Sequence, residues 1–452
     1  MLRHCTLIIA LVLLIPFASS AGAAAQDRPN IVLILADDQT WDCSGAYGHP
    51  DVKTPNIDRL ASQGMRFTHC FTATAMCAPT RQQLYTGIFP VRNGAYPNHS
   101  RVYDGTKSIV HYLRDLGYRV GLAGKKHFGP RDSFPFEQVK PKEMKAFIER
   151  DAAEPYCLVI TSNSPHLPWS SGDASQYDPE ELTLPPYLID TPETRVALTK
   201  YYAEITDFDR EVGQAMKLVD ASGRAGDTIF IYTSEQGAQF PHGKWTCYDT
   251  GLRTALVVRW PRRVKAGSVS DAMVQYVDMV PTLIDAAGGE PVDGLDGRSF
   301  LKVLLGKADA HHDVVFGVHT TRGIINGSPS YPIRSIRTRD YKLIWNLQHD
   351  APFRNVLQTG DRGGYWESWI ARAEAGDARA KRFVHAYQHR PEFELYDLAA
   401  DPHELNNLAD DPSQAQRIAG LHKRLEAWMK QQGDEGIATE LRANERQGRK
   451  GR

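Results

Sequence analysis

The 452-residue chain has almost no excess charge, with 53 Lys and Arg against 54 Asp and Glu. That balance argues against a nucleic-acid binder held by bulk electrostatics, so an anionic substrate must be met by a local cluster. After the first 25 residues no apolar run is long enough to cross a bilayer. Cysteine is scarce, six in all. No Cys-x-x-Cys pair or Cys/His spacing suggests zinc, and no internal repeat points to a solenoid. The hydrophobic share of 42% and charged share of 24% are ordinary globular values. The length suffices for one large domain and a smaller one.

Residues 1–25 have the order of a cleavable export signal. Arg3 and His4 precede an apolar core from Leu7 to Phe17, and small residues run from Ala18 to Ala25. The mature protein is expected to be exported, periplasmic or secreted, and the alanine-rich signal leans towards bacterial export. Losing Cys5 with the signal leaves Cys43, Cys70, Cys77, Cys157 and Cys247. An odd count flags one thiol with another fate, and whether the other four pair stays open. Asn98-His99-Ser100 and Asn326-Gly327-Ser328 are sequons that matter only in a eukaryotic secretory path.

Several β-branched runs end in polar clusters. Ile31 to Ala36 ends at Asp37-Asp38, and Tyr118 to Ala123 ends at Gly124-Lys125-Lys126-His127. Cys157 to Thr161 leads to Pro165-His166, and Thr228 to Thr233 ends at Ser234-Glu235-Gln236. Continuous apolar runs of this length read as strands buried on both faces, as in a parallel sheet. Helical patterns lie between them, Ser108 to Leu116 and Arg195 to Leu218, which implies an α/β sandwich. Such sheets place active sites at the carboxyl ends of their strands, so the four clusters are expected to converge. From about residue 306 the texture changes to short strands, Ser335–Trp345 and Phe393–Leu398, then an amphipathic helix with Ile418, Leu421, Leu425 and Trp428 on one face. The expected division is a signal at 1–25, a catalytic domain at 28–305, a smaller α+β domain at 306–437 and a disordered tail at 438–452.

The densest signal is Cys77-Ala78-Pro79-Thr80-Arg81. Proline is favoured in a first helical turn, so Cys77 is expected at the positive end of a helix, where free N–H groups favour an anion. An isolated cysteine there would usually be packing. Adjacent acids such as Asp37-Asp38 most often occupy an exposed turn, but with Glu235 and Gln236 converging they make a hard-oxygen site suited to Ca²⁺ or Mg²⁺. A lone Lys-x-His would usually be surface. His311-His312 reads most simply as an exposed loop pair.

The Cys77–Arg81 run, followed by Leu84-Tyr85-Thr86-Gly87, resembles the signature of the type I sulfatases. The resemblance spans roughly residues 28–430 and implies an alkaline-phosphatase-like sandwich, with a large, mostly parallel central sheet flanked by helices. A smaller C-terminal domain with an antiparallel sheet and terminal helix completes that fold. It implies that a maturation enzyme oxidises Cys77 to formylglycine, whose hydrated aldehyde is the nucleophile. Asp37, Asp38, Glu235 and Gln236, with residue 77, would hold a divalent ion, Ca²⁺ or Mg²⁺; the family's usual second pair begins with Asp. Arg81 would assist the nucleophile, and Lys125 and Lys244 would neutralise the sulfate oxygens. His166 would protonate the leaving group, and His127 would remove a proton from the hydrated aldehyde. His242 reads as structural or as a substrate contact.

The implied partner is a sulfated saccharide. Gly124 to Pro130, Phe134-Pro135-Phe136 and Phe240 to Lys244 resemble the sulfamidase branch, which implies the N-sulfate of glucosamine in heparin or heparan sulfate fragments. The alternative is an O-sulfatase acting on another sulfated carbohydrate or an aryl sulfate. A phosphatase or phosphodiesterase of the same superfamily would need a Ser or Thr nucleophile and histidine-rich two-metal sites, which the chain lacks. A glycan-binding protein with a dead site would have lost Cys77, Arg81 or His127, and all three are present. Neither nucleic acid nor a membrane span is expected, and the oligomeric state is not readable.

Overall fold

The computed structural model describes residues 28–358 and 363–447, so the expected export signal at 1–25 lies outside the described residues. The central strand β1 (Asn30–Ala36) is buried along its whole length. Ile31, Leu33 and Leu35 enter one hydrophobic cluster, while Val32, Ile34 and Ala36 enter another on the opposite face. A strand covered on both sides cannot alternate apolar with polar, which is why its run is continuously apolar.

Eight further strands complete the sheet: β2 (Met65–Phe71), β3 (Arg119–Gly124), β4 (Glu137–Val139), β5 (Tyr156–Thr161), β6 (Thr228–Ser234), β7 (Arg253–Arg259), β8 (Ser268–Ser270) and β9 (Val274–Gln275). Their order is β4-β3-β5-β1-β6-β7-β2-β8, with β9 on β2. Only β7 runs against its neighbours. The helix Cys77–Thr86 contributes Leu84 and Tyr85 to one face, with Met279 and Leu283 of the helix Met279–Ala286. The helix Pro192–Ala221 covers the other face with Phe208, Val212 and Met216. This is the mostly parallel α/β sandwich of the alkaline-phosphatase-like class.

Register does the functional work. Leu35 pairs with Thr161, Ala36 with Ser234, and Gly124 with Thr161. The carboxyl ends of β1, β3, β5 and β6 therefore stop at one edge, and the residues after them meet.

A second sheet holds β10 (Val315–His319), β11 (Ile333–Arg337), β12 (Tyr341–Asn346) and β13 (Phe393–Asp397), all antiparallel in chain order. The helix Ala415–Gln431 lays Leu421, Leu425 and Trp428 on it. Trp428 stacks on Phe316 and meets Phe89 edge-on, and the Val318 N–H donates to the Ala73 carbonyl oxygen at 2.7 Å. The second sheet is thus seated on the segment that leads into Cys77.

The segment after β12 holds the helices Tyr365–Glu374 and Ala378–Gln388, whose Trp366 and Trp369 are buried. One expectation needs correction. The expected disorder from 438 does not start there: Ile437–Leu441 and Ala443–Arg446 are helical, with Glu440 and Ala443 fully buried. Glu440 accepts from the Thr321 N–H and hydroxyl, a long-range anchor that a polar, basic composition conceals.

Asp209 shows how the helical layer is fixed. Its carboxylate, on the helix Pro192–Ala221, accepts from the N–H groups of Asn56 and Ile57 and from the Asn56 amide, capping the helix Pro55–Gln63. Asp209→Ala orphans these donors and is expected to cost about 2 kcal/mol, read as a lower midpoint in urea unfolding.

Candidate active site

The β1 exit is held in an unfavourable turn. Asp38 has φ 67°, which costs a non-glycine residue about 1–2 kcal/mol. Neighbours brace it. The Tyr201 hydroxyl donates to the Asp38 carbonyl oxygen at 3.1 Å and accepts from the Thr40 N–H at 2.9 Å. The Ser234 hydroxyl donates to the Gln39 carbonyl oxygen at 2.6 Å, tying the β6 exit to the β1 exit. At the β3 exit Gly124 has φ 105°, and a β-carbon would collide with the Thr161 carbonyl oxygen. Only glycine lets the chain pass there into Lys125.

Cys77 is the first residue of its helix, and Pro79 the third. All ten residues of that helix are buried. Gln83 accepts from the Ala73 N–H at 3.0 Å, and the Thr80 hydroxyl donates to the Thr74 carbonyl oxygen at 2.6 Å. The Trp245 N–H reaches the Ala75 carbonyl oxygen at 3.1 Å. The cysteine thus sits on a rigid element clamped on both sides.

Around it the strand-end residues converge. Cys77 Sγ lies 3.6 Å from Asp37 Oδ1, 4.0 Å from Asp38 Oδ1 and 3.3 Å from Gln236 Nε2. Ligand atoms of Asp37, Asp38, Cys77 and Glu235 all fall within 4.8 Å of one another, and all four residues are buried. Arg81, one turn along the helix, pairs with Glu235, lies 4.0 Å from Asp37 and donates to the Lys125 carbonyl oxygen at 2.8 Å. Lys125 Nζ is bonded to Asp37, and Lys244 Nζ to Asp38 at 2.6 Å. His166 Nε2 is 3.7 Å from Asp38, while its Nδ1 meets the Leu167 carbonyl oxygen at 2.6 Å. The site opens past His166 and Lys125, whose side chains are 36% and 20% exposed.

His127 stands further out. Its Nε2 is 2.9 Å from Nδ1 of His99. The sequence marked His99 only as the middle of a sequon, because a contact across 28 residues leaves no local signal. His242 lies outside the cluster: it stacks on Tyr248 and Tyr187, with Nε2 2.8 Å from the His403 carbonyl oxygen. His311 and His312 are not an exposed pair, since both meet buried Asp278.

The charges shift one another. Burial raises the Asp37 pKa, but Lys125 and Arg81 outweigh it and hold the carboxyl well below its usual range. Burial pushes Glu235 well up against the pull of Arg81. The Cys77 thiol is lowered overall, because Lys244 and Lys125 outweigh burial and the two aspartates. Burial opposes charge on His166, yet Asp38 lifts it to about 9. Burial and the nearby Lys125 bring His127 down to about 3.

Three carboxylates within reach of a nucleophile-type residue on a helix N-terminus are a fit for a hard divalent cation. Oε1 of Gln236 is buried without a hydrogen-bond partner, a free amide oxygen beside that cluster. Lys125 and His166 at the mouth, with buried Lys244, suit a tetrahedral oxyanion. Fold and site define a hydrolase of the alkaline-phosphatase-like class.

Comparison with known proteins narrows the class. The sulfatase family model matches residues 29–140 and 136–289. A second model, N-sulphoglucosamine sulphohydrolase, C-terminal, matches 240–353 and 371–431. An ulvan-active sulfatase of Formosa agariphila is 34% identical, over 91% of this chain and 82% of its own. Human N-sulphoglucosamine sulphohydrolase is 30% identical, over 89% of this chain and 90% of its own. A protein solved in complex with its substrate D-glucosamine-2-N,6-O-disulfate shares the fold with a TM-score of 0.69 at 21% identity, over 90% of this chain and 99% of that one. The chain belongs to the sulfatase family and is a hydrolase of sulfuric esters or sulfamates.

Arg81 is the cation that makes the buried acids tolerable. Arg81→Leu in the presence of a chelator should lower the unfolding free energy by about 3–5 kcal/mol, because Glu235 loses its partner. Denaturant titration would show the loss, and an unchanged midpoint would contradict the pairing.

Proposed function

We propose that this sulfatase removes sulfate from a sulfated saccharide, and that its substrate is the N-sulfate of glucosamine in heparin or heparan sulfate fragments. The observation that carries the N-sulfate reading is the match to the sulphoglucosamine sulphohydrolase C-terminal model over 240–353 and 371–431, together with the human relative's coverage of 89% of the chain. A second reading, an O-sulfatase acting on another sulfated polysaccharide, is favoured by the 34% identity to the ulvan-active sulfatase.

In this reading Asp37, Asp38, Glu235, Gln236 and residue 77 hold a calcium or magnesium ion, and Cys77 is converted to formylglycine by a maturation enzyme. Together the ion and the hydrated aldehyde supply an activated oxygen nucleophile and a counter-charge for the sulfate. The chain's own residues do the rest. Arg81, fixed by Glu235 and the Lys125 carbonyl oxygen, holds a positive charge one turn from residue 77. Lys125 and Lys244 present ammonium groups to the sulfate oxygens, while the bonding pair and its negative charge pass to the leaving atom.

Asp38, 3.7 Å from Nε2, favours the protonated form of His166, whose Nδ1–H is spent on the Leu167 carbonyl oxygen. Nε2 then carries the proton for the departing nitrogen or oxygen. His127, lowered to about 3, is uncharged at neutral pH. In the tautomer that carries the proton on Nε2, facing His99, the His127 Nδ1, which has no hydrogen-bond partner, is the proton acceptor. One imidazole is kept as acid and the other as base by their opposite electrostatic surroundings. Export to the periplasm or the medium is the location this reading assigns.

The test is release of free sulfate by the mature enzyme from N-sulfoglucosamine, 6-O-sulfated N-acetylglucosamine, an ulvan oligosaccharide and an aryl sulfate. Turnover of N-sulfoglucosamine alone is expected. Turnover confined to an O-sulfate would overturn the substrate while keeping the site.

A further inference from the structure

Asp278, fully buried, closes the turn Tyr276–Asp278 ahead of the helix Met279–Ala286. Its carboxylate accepts from the N–H groups of Gln275 at 2.8 Å and Arg298 at 3.0 Å. Two histidines converge on the same carboxylate: His312 Nε2 is 2.8 Å and His311 Nε2 3.3 Å from Oδ2. Successive side chains of an extended segment point to opposite sides. Here the two neighbouring rings lie 4.3 Å apart and reach one oxygen, while His312 pairs by its backbone with Met273.

One imidazole–carboxylate pair is enough to satisfy Asp278 Oδ2, yet both His311 and His312 face that same oxygen. The His311 side chain is 6% exposed, and its Nε2 is buried with no hydrogen-bond partner despite facing Asp278. With the ring proton on Nδ1, such an imidazole nitrogen turns a lone pair towards a cation. Bonds of about 2.0–2.1 Å at tetrahedral angles set neighbouring donors about 3.3 Å apart, close to the spacing found. Two imidazoles and one carboxylate suit zinc or a similar first-row ion and not calcium. His312, with a side chain 21% exposed, leaves a side open to solvent for a fourth ligand.

The geometry points to a second metal site, distinct from the catalytic cluster, in which His311 Nε2, His312 Nε2 and Asp278 bind one zinc-type divalent cation. None of the three belongs to the acid cluster at Cys77. The ion clips the segment that enters β10 to the turn before the helix Met279–Ala286. Its role is to hold the second sheet against the first, so catalysis does not pass through it. The coordination is a simple Lewis association: neutral imidazoles and a carboxylate donate lone pairs, and water completes the shell.

The experiment uses the mature, calcium-loaded enzyme titrated with Zn²⁺ alone, with bound metal counted after dialysis. Wild type is expected to bind one zinc more than the double variant His311→Ala/His312→Ala, and to gain thermal stability that the variant does not. Zinc affinity at this site should fall at least about 100-fold, with sulfate release unchanged. A control variant, His385→Ala/His389→Ala, removes the paired rings 5.0 Å apart at the C-terminal end of the helix Ala378–Gln388 and should keep the site. Equal zinc binding by wild type and the His311/His312 variant overturns the proposal. Should that variant misfold, zinc X-ray absorption on wild type decides: two imidazoles in the shell support the site, and an all-oxygen shell contradicts it.

Discussion

Three carboxylates, Asp37, Asp38 and Glu235, are buried at the edge of one sheet, and the fold around them is organised to make that possible. Each is matched by a cation from a different segment: Lys125 from the β3 exit, Lys244 from the loop after β6, and Arg81 from the Cys77 helix. Desolvating so many charges is costly unless they are paired and held in place. Holding them is the task of the rigid shell, from the left-handed turn at Asp38 to the hydroxyls of Tyr201 and Ser234. The same lysines lower the Cys77 thiol, Asp38 raises His166, and burial together with Lys125 lowers His127.

The second sheet is part of this arrangement. Its first strand bonds to Ala73, four residues ahead of Cys77. Arg337 and Lys342, from β11 and β12, both pair with buried Asp249, and Lys342 also reaches Glu404. Removing these contacts would loosen the segment entering the Cys77 helix as well as the loop carrying Lys244. The sulphoglucosamine sulphohydrolase C-terminal match begins at residue 240, inside the central sheet's chain, and so takes in the loop that carries Lys244.

Much of the site was legible in sequence because it rests on backbone logic. Apolar runs ending in Asp37-Asp38, Lys125, His166 and Glu235 announce parallel strands, and parallel register brings their ends together. The Cys77 motif was legible by its proline and its arginine one turn on. What stayed hidden depends on long-range pairing. His99 reaches His127, and Tyr201 braces Asp38 from 163 residues away, with no periodic signature for either. His311 and His312 looked like a polar loop because their partner, Asp278, sits inside an otherwise apolar helix start. The tail after 438 looked disordered because its anchors, Glu440 on Thr321 and buried Ala443, are single contacts in a charged stretch.

The most direct test of the account is the mass of the peptide containing Cys77 in protein made together with its maturation system and shown to release sulfate. The account predicts the lighter aldehyde form at position 77 in proportion to specific activity. Full activity from protein whose Cys77 is an unmodified thiol would contradict it.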